Sequence, residues 1–316
     1  MSCQLVPFTP EYLQPAVELF IQNYRDERTH SPCLPTRAMD EPAWVRSVLQ
    51  SKLINPGVAI VEQGRLLAYM VTGSQFTWKG QRAAIIPEYG HAAIADGKQT
   101  LYQAMYQSLA HEWVNQHIHL HLIGHFAHDA LLKETLYQFG FGALVAERLR
   151  DFSVIDEGRE ISVKEEKNPS KLVHLHVEHI HYYPQSRIFL SSSTDRQAAL
   201  TDLESHAQNG DVFFVSYEQD EPCAYFIVGK STIGGEGFLL QETNTAQIKS
   251  AYTHPKMRGK GMGKALLHHA IQWSQQQGYE RVFVEHETAN LTGGNFWKKH
   301  FSPYLYFSMR YVDNTI

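Results

Sequence analysis

The segment 252–264, YTHPKMRGKGMGK, constrains this chain more than any other feature. It lies between residues 246–253, which alternate enough for a strand, and residues 265–277, which carry apolar side chains at helical spacing. Its glycines therefore open a helix. Glycines keep side chains away from the backbone, and the first helical turn offers unpaired N–H groups and the positive end of the helix dipole. The sequence predicts an anion site at this point that would suit a pyrophosphate.

Two common nucleotide-binding motifs do not fit this segment. A P-loop needs Gly, four residues and then Gly-Lys-Ser/Thr, but Arg258 stands at the first Gly and Ala265 at the Ser/Thr. The dinucleotide fingerprint, counted from Gly259, has Lys264 where its third glycine belongs. The pattern that does fit is Arg-x-x-Gly-x-Gly, at residues 258–263.

An Arg-x-x-Gly-x-Gly loop between a strand and a helix resembles the acetyl-CoA signature of the GNAT acetyltransferase superfamily. In that family successive loop amides and the Arg hold the pyrophosphate of the coenzyme. The alternative is a glycine-rich turn capped by basic residues. The resemblance implies that acetyl-CoA binds as acyl donor to Arg258, Gly259, Lys260, Gly261, Met262, Gly263 and Lys264.

The elements after the loop follow in the order that this family requires. Gly278 ends the helix, residues 281–287 alternate as a strand, and residues 304–312 predict a closing strand. In the family the strands on either side of the coenzyme helix part, and the pantetheine arm inserts between them. An amide near Ala251 or Tyr252 would then polarise the thioester carbonyl. The resemblance implies pantetheine contacts from Ala251, Tyr252, Thr253, Asn290 and Trp297.

The last helix departs from the family pattern. Many members carry Phe-Tyr there, and the Tyr hydroxyl protonates the departing thiolate, whereas this chain has Phe296-Trp297. An indole N–H is not such an acid. A thiol has a pKa near about 8.5, so the thiolate is a tolerable leaving group without one. Tyr252, Tyr304 and Tyr306 are possible substitutes, or they pack on a sheet.

A proton acceptor is also needed, because an ammonium ion has no lone pair with which to attack a thioester. Glu285 and Glu287 are two residues apart on a predicted strand, so both point to one face. The resemblance implies that a Glu at position 285 takes the proton and that carboxylates near 287 attract a cationic amine. The alternative is two solvated side chains on an exposed strand. Glu242 is a third, weaker candidate.

The length of 316 residues leaves room for two domains of roughly 150 residues each. The polar stretch 156–160 is the predicted linker. Residues 88–98 stand where the first half would need its coenzyme loop, but they have neither the Arg nor the paired glycines, and Glu88 and Asp96 would repel a pyrophosphate. We predict a degenerate GNAT-like domain at 1–155 and the acetyl-CoA-binding domain at 160–316.

The predicted fold class is α/β (α+β), with two tandem GNAT-like domains, each a mixed, mostly antiparallel twisted sheet flanked by helices. Patterns in the first half predict strands and helices in the same order as in the second. Predicted helices are 10–23, 42–51, 100–116, 130–138, 169–182 and 201–209. Predicted strands are 4–8, 58–62, 66–71, 83–87, 118–123, 144–149, 161–165, 212–217, 224–229 and 238–240.

Histidine is abundant, at 18 residues, and two groups of it lie at 117–128 and 174–181. Neither group has the spacing of a known zinc motif, and the three cysteines lie far apart, so we expect no bound metal. Scattered, odd-numbered cysteines are typical of reduced thiols, and the amino terminus shows no leader pattern. We expect a cytoplasmic protein.

A net charge of -5 argues against a nucleic-acid partner, and no run of 18 apolar residues predicts a membrane span. The sequence therefore favours an N-acetyltransferase that moves an acetyl group from acetyl-CoA to a small-molecule or peptidyl amine, by direct attack in a ternary complex. The alternative is a non-catalytic acyl-CoA sensor or interaction module. Either a monomer or a homodimer is compatible with the sequence.

Overall fold

The computed structural model describes residues 3–155, 161–232, 238–241 and 243–312. The predicted linker 156–160 and the candidate Glu242 lie outside these residues. The helices are α1 Leu13–His30, α2 Arg37–Asp40, α3 Pro42–Ser51, α4 Lys98–Asn115, α5 Ala130–Gln138, α6 Val173–Gln185, α7 Arg196–Gln208, α8 Met262–Gln276 and α9 Leu291–His300. The strands of the first half are β1 Gln4–Pro7, β2 Gly57–Glu62, β3 Arg65–Val71, β4 Ser74–Trp78, β5 Gln81–Ile86, β6 His91–Ala93, β7 Leu120–Phe126 and β8 Gly142–Arg150. Those of the second half are β9 Lys164–Glu166, β10 Val212–Glu218, β11 Glu221–Lys230, β12 Thr245–Thr253, β13 Arg281–Glu287 and β14 Ser302–Tyr311.

The chain divides into two compact units that do not follow the order of the sequence. Of the described residues, unit 1 holds 3–147, 238–241 and 303–312, and unit 2 holds the remainder. The predicted boundary placed 238–241 and 303–312 with the second half. Backbone pairing explains the second of these segments, because β14 is antiparallel to β7 from Leu305↔Phe126 to Tyr311↔Leu120.

Unit 2 is built on a sheet with the strand order β13-β12-β11-β10-β9. The β9–β10, β10–β11 and β11–β12 pairs are antiparallel, and β12 and β13 are parallel. Helices cover both faces of the sheet: α8 packs its apolar side on β10–β13, while α6 and α7 pack on the other face around Leu175, Leu203 and Tyr225. A parallel pair with a helix between its strands is the βαβ unit predicted around the glycine loop.

Unit 1 holds a sheet of order β1-β2-β3-β6 and a run of neighbouring strands β4-β5-β7-β14. The helix α4 packs on β2 and β3, where Tyr102, Met105 and Trp113 are buried. The mixed sheets flanked by helices confirm the predicted fold class. The strand β4 was not predicted, since its side chains are mostly exposed and give no apolar alternation.

Most predicted elements are present with ends that move by a few residues, and helices α3 and α5 and strand β13 match their predicted bounds. The predicted strand 238–240 is wrong, because these residues form a turn in unit 1. Phe238 stacks on Trp44 with ring centroids 3.9 Å apart. The amides of Phe238 and Leu239 donate to Glu88 Oε1, at 2.8 and 3.3 Å. These two backbone donors are therefore satisfied by a side chain and do not need a neighbouring strand.

Candidate functional site

The site in unit 2 begins where two parallel strands part. The strands β12 and β13 pair from Thr245↔Arg281 to Gln247↔Phe283 and then separate, although each continues beyond the last pair. Along the other edge of β12, pairing with β11 runs as far as Thr253. One edge of β12 therefore faces the gap, and the gap widens towards the glycine loop that follows Thr253.

The loop before α8 presents a row of free backbone donors. Gly259 and Gly261 have φ values of 75° and 95°, a region that side chains disfavour. Gly261 is the N-cap of α8, and its carbonyl accepts from the amides of Lys264 and Ala265 at 3.1 Å each. Within the described residues the amides of 259–263 have no hydrogen-bond partner. Unpaired amides at a helix start favour an anion.

Arg258 adds a fixed positive charge beside these amides. Its Nε donates to the carbonyl of Thr253 at 3.1 Å, which ties the side chain to the end of β12. Its guanidinium carbon lies 4.9 Å from the ring centre of Tyr182 and 5.8 Å from that of Tyr252. Two aromatic faces and one carbonyl therefore orient a group that can bind an anion through two N–H donors.

The parted strands, the loop and the first turn of α9 enclose a cleft of about 600 Å³. With one exception, the residues that the sequence assigned to the coenzyme, together with Glu285 and Glu287, all line this cleft. The exception is Lys260, which is exposed and does not line the cleft. Its Nζ lies 3.5 Å from Met257 Sδ. The lining residues that were predicted are Ala251, Tyr252, Thr253, Arg258, Gly259, Gly261, Met262, Gly263, Lys264, Glu285, Glu287, Asn290 and Trp297.

The two carboxylates on β13 share the cleft. Crowding by protein raises the pKa of Glu285, and the nearby Glu287 charge adds to this effect. Burial also raises the pKa of Glu287. Glu285 is nevertheless exposed to solvent, and the Nε2 of His286, which stands between them, accepts from Arg148 Nε at 2.9 Å. A raised pKa makes each carboxylate a stronger proton acceptor than a free one.

Asn290 and Trp297 have structural roles as well as positions on the cleft wall. Asn290 caps α9, where its Oδ1 accepts from the amide of Gly293 at 3.1 Å. Trp297 is 6% exposed and its ring lies 5.7 Å from that of Phe226 in the core. The indole ring is therefore a packed side chain of the core that forms part of the cleft wall.

Of the tyrosines considered as acids, only Tyr252 is among the described residues that line the cleft. Burial raises its pKa, so the hydroxyl keeps its proton at neutral pH. Tyr304 belongs to unit 1, where its hydroxyl donates to Glu147, and Tyr306 stacks on His125 in the same unit. These two tyrosines do not line the cleft.

The segment 174–188, which contains Tyr182 and Tyr183, stands where the family resemblance predicts an acceptor-binding wall, and its helix α6 lines the cleft. His179, Tyr182 and Tyr183 lie on this helix and line the cleft. The ring of His179 stacks on Tyr252, with centroids 5.1 Å apart, and Tyr183 lies 5.5 Å from His179. Burial and the charge of Glu287 raise the pKa of Tyr183. Their spacing along the helix and the dense histidines of 174–181 were the available signal.

In unit 1 the corresponding parallel pair stops because β5 itself ends at Ile86, and a buried histidine lies just beyond this end. The strands β5 and β7 pair in parallel up to Ile86↔Ile123. Just beyond this pair, His91 Nε2 lies 2.7 Å from the carbonyl of Gly124, and Tyr102 holds the other ring nitrogen at 2.9 Å. This histidine is 5% exposed, so it is a buried cross-link between β6 and β7.

The helix start in unit 1 also differs in charge. Lys98, the first residue of α4, pairs with Asp129 at 2.6 Å, and both side chains are 13% exposed. The buried Glu88 lies between β5 and β6 and accepts from two amides. A pyrophosphate would need a free positive charge here, but the Lys98 charge is paired with Asp129 and the nearby Glu88 is acidic.

Among the described residues, no group of three or more His, Cys, Asp or Glu could hold a metal ion.

Comparison with known proteins agrees with this geometry. Residues 177–301 match the acetyltransferase (GNAT) family model. Streptothricin acetyltransferase A of Bacillus subtilis strain 168 is 30% identical over 88 residues, which are 27% of this chain and 51% of that relative. The chain thus spans about half the length of this curated relative.

In the described part of the chain, no helix has the length and apolarity that crossing a membrane requires.

Solved structures resemble the chain over nearly its whole length. A GCN5-related N-acetyltransferase from Sphaerobacter thermophilus has a TM-score of 0.57 at 12% identity, covering 98% of this chain and 95% of its own. A fungal GCN5-related glucosamine N-acetyltransferase region within a multi-domain β-N-acetylglucosaminidase has a TM-score of 0.54 at 12% identity, covering 98% and 38%. At these identities the likeness shows the fold. Residues 177–301 form an acetyltransferase (GNAT) family domain, and the N-terminal region has a GNAT-like fold.

Proposed function

We propose that this protein is an N-acetyltransferase that moves an acetyl group from acetyl-CoA to a primary amine. The observation that carries this proposal is the row of unpaired amides at 259–263, beside Arg258, at the mouth of a gap between parted strands. A pyrophosphate is an anion that fits such a row. The gap then accepts the pantetheine arm, so that the thioester reaches the cleft.

The unpaired edge of β12 would position the thioester. Ala251, Tyr252 and Thr253 lie on this edge and line the cleft. A backbone N–H at 251 or 252 would polarise the thioester carbonyl and stabilise the oxyanion that forms when the amine attacks. Asn290 and Trp297 would bound the arm on the side of α9. Holding both reactants in one cleft supplies much of the rate by proximity.

Glu285 and Glu287 would attract the ammonium group of the acceptor and remove its first proton. Two carboxylates in one cleft attract a cationic ammonium group, and their raised pKa values suit the removal of its first proton. The acceptor is a small-molecule or peptidyl amine, since the cleft is open on this side. Attack is direct, because the only thiol of unit 2, Cys223, is buried, and burial raises its pKa.

The activity is tested by thiol release. We expect the protein to release CoA thiol from acetyl-CoA with at least one amine from a panel of polyamines, aminoglycosides, amino acids and peptides, and the melting temperature to rise with CoA because the ligand binds the folded state. The measurement is absorbance of a thiol reagent beside a thermal scan. Binding without release across the whole panel would support a non-catalytic sensor instead.

We also propose that unit 1 does not bind the coenzyme. The His91–Gly124 bridge and the Lys98–Asp129 pair occupy the space beyond β5 and the helix start that a coenzyme would use. We therefore expect one CoA per chain. Isothermal titration calorimetry measures this number, and a value of two would contradict the proposal.

A further inference from the structure

Four polar side chains of unit 2 form a continuous hydrogen-bonded row from the surface to the cleft. Asp202, on α7, has a side chain that is 53% exposed, and its Oδ2 lies 2.8 Å from His176 Nε2. His176 Nδ1 lies 2.7 Å from the hydroxyl of Tyr225, which is 0% exposed. The same hydroxyl lies 2.9 Å from His179 Nδ1. The row ends at His179, which lines the cleft.

The hydrogens available to this row fix its direction. A carboxylate only accepts, so His176 Nε2 carries the hydrogen. Burial lowers the pKa of His176, so its ring is neutral and Nδ1 must accept from Tyr225. The tyrosine has one hydrogen, and its oxygen is then left to accept from His179 Nδ1. His179 is therefore the Nδ1–H tautomer, and its Nε2 keeps a lone pair.

Because Nδ1 is turned to Tyr225 and Ser250, Nε2 is the ring nitrogen of His179 that is left for the cleft that this residue lines. The Nδ1 edge of His179 points to the fully buried Tyr225 and to Ser250 Oγ at 3.3 Å, and Nε2 is on the far edge of the ring. Within the described residues Nε2 has no hydrogen-bond partner. The ring stacks on Tyr252, whose strand edge would hold the thioester. The imidazole is thus fixed beside the point where an amine would attack.

Acetylation of an ammonium ion removes two protons from nitrogen, one before attack and one after it. The carboxylates of Glu285 and Glu287 would take the first. We propose that His179 Nε2 takes the second, from the positively charged nitrogen of the tetrahedral adduct, and this rests on the proposed function. The C–N bond has formed by then, the C–S bond breaks, and the thiolate leaves with its electron pair. The proton passes to that thiolate, so the products are amide and free thiol and His179 is neutral again.

The electrostatic surroundings determine the protonation state of His179. Burial lowers the pKa of His179 to about 3, and the neighbouring His176 and Arg258 contribute. The ring is therefore neutral at pH 7 and Nε2 keeps its lone pair, but the low pKa also makes this nitrogen a weaker base than a free imidazole. The other titratable groups against it are Tyr183, Tyr225 and Tyr252, and their raised pKa values keep all three neutral. A bound pyrophosphate would offset the Arg258 charge and make Nε2 more basic when coenzyme is present.

The tautomer is tested without any turnover. In ¹⁵N-histidine-labelled wild type, we expect the Nδ1 and Nε2 shifts of His179 to show hydrogen on Nδ1. Tyr225→Phe removes the hydroxyl that fixes the ring and is expected to increase the Nε2–H population, while the melting shift with CoA is retained. A wild-type spectrum with hydrogen on Nε2 would overturn the proposal.

Kinetics test the proton transfer itself. His179→Asn keeps an N–H near Tyr225 but has no Nε2, and kcat should fall about 100-fold, a usual effect of losing a general base, with KM for acetyl-CoA changed less than about twofold. His181→Asn is the matched control on the same helix, since His181 Nε2 contacts the carbonyl of Thr194 and does not line the cleft. Unchanged kcat in His179→Asn overturns this role alone. Failure of the wild type to release thiol overturns the proposed function as well.

Discussion

Gly261→Asp should weaken CoA binding at least about tenfold, a loss of about 1.4 kcal/mol, while the protein still folds. Gly261 has φ 95°, a conformation in which a side chain is strained, and an added Cβ would lie 3.2 Å from Ile161 Cδ1, so that side chain would have to move by a few tenths of an ångström. The new carboxylate would also stand at the helix start, where it competes with a pyrophosphate for the same amides. Both effects act at the coenzyme site. Calorimetric titration with CoA measures the dissociation constant.

Gly278→Asp is the matched control for this variant. Gly278 has φ 79°, and an added Cβ there would meet nothing within 4 Å, so the backbone strain is comparable and the steric cost is absent. It follows the C-terminal end of α8, the same helix, outside the cleft. Its affinity for CoA should match the wild type. Equal loss in both variants would attribute the effect to strain alone.

Arg258→Ala is a companion to Gly261→Asp that leaves the backbone unchanged, and the same loss of at least about tenfold is expected because a bidentate, pre-oriented guanidinium is removed. Arg196→Ala, an exposed position on α7, is its control. Unchanged affinity in Arg258→Ala would argue that the phosphates bind elsewhere.

The coenzyme loop could be predicted because the residues that determine its conformation and its charge are neighbours in the sequence. Alternate glycines, an Arg and a helix start lie within a few residues, and these determine where the amides point. The parted strands were accessible only through the family resemblance, since the pairing that ends at Gln247↔Phe283 joins residues far apart in sequence.

The Asp202–His176–Tyr225–His179 row could not be predicted in this way. Its members come from α7, α6 and β11, and no sequence spacing relates them. The histidines of α6 were visible as a cluster, but exposed and buried members look alike in sequence: the His174 side chain is 82% exposed and that of His176 is 5% exposed. The place of residues 303–312 and 238–241 in unit 1 was not visible in the sequence for the same reason, because contacts between residues far apart in the chain determine it.

Replacing Glu285 and Glu287 together by Gln should lower kcat/KM for the amine about 100-fold, because the variant can neither attract the ammonium group nor take its first proton. The coenzyme loop is untouched, so KM for acetyl-CoA should stay the same. Glu204→Gln, an exposed carboxylate on α7 outside the cleft, is the control. Equal activity of the double variant and wild type would remove these residues from the mechanism.

The same double variant should be more stable than the wild type at neutral pH. Both carboxyl pKa values are raised in the folded protein, above the ordinary value of 4.5, mainly by burial. The folded state therefore favours the protonated groups, and stability is lost as the pH rises through the folded pKa values. Gln carries no charge and avoids this loss, so the melting temperature should rise at pH 7 but match the wild type below about pH 4, where both residues are protonated in either state. A melting temperature that fell at pH 7 would mean that the two charges stabilise the fold, and a purely structural role would then explain them.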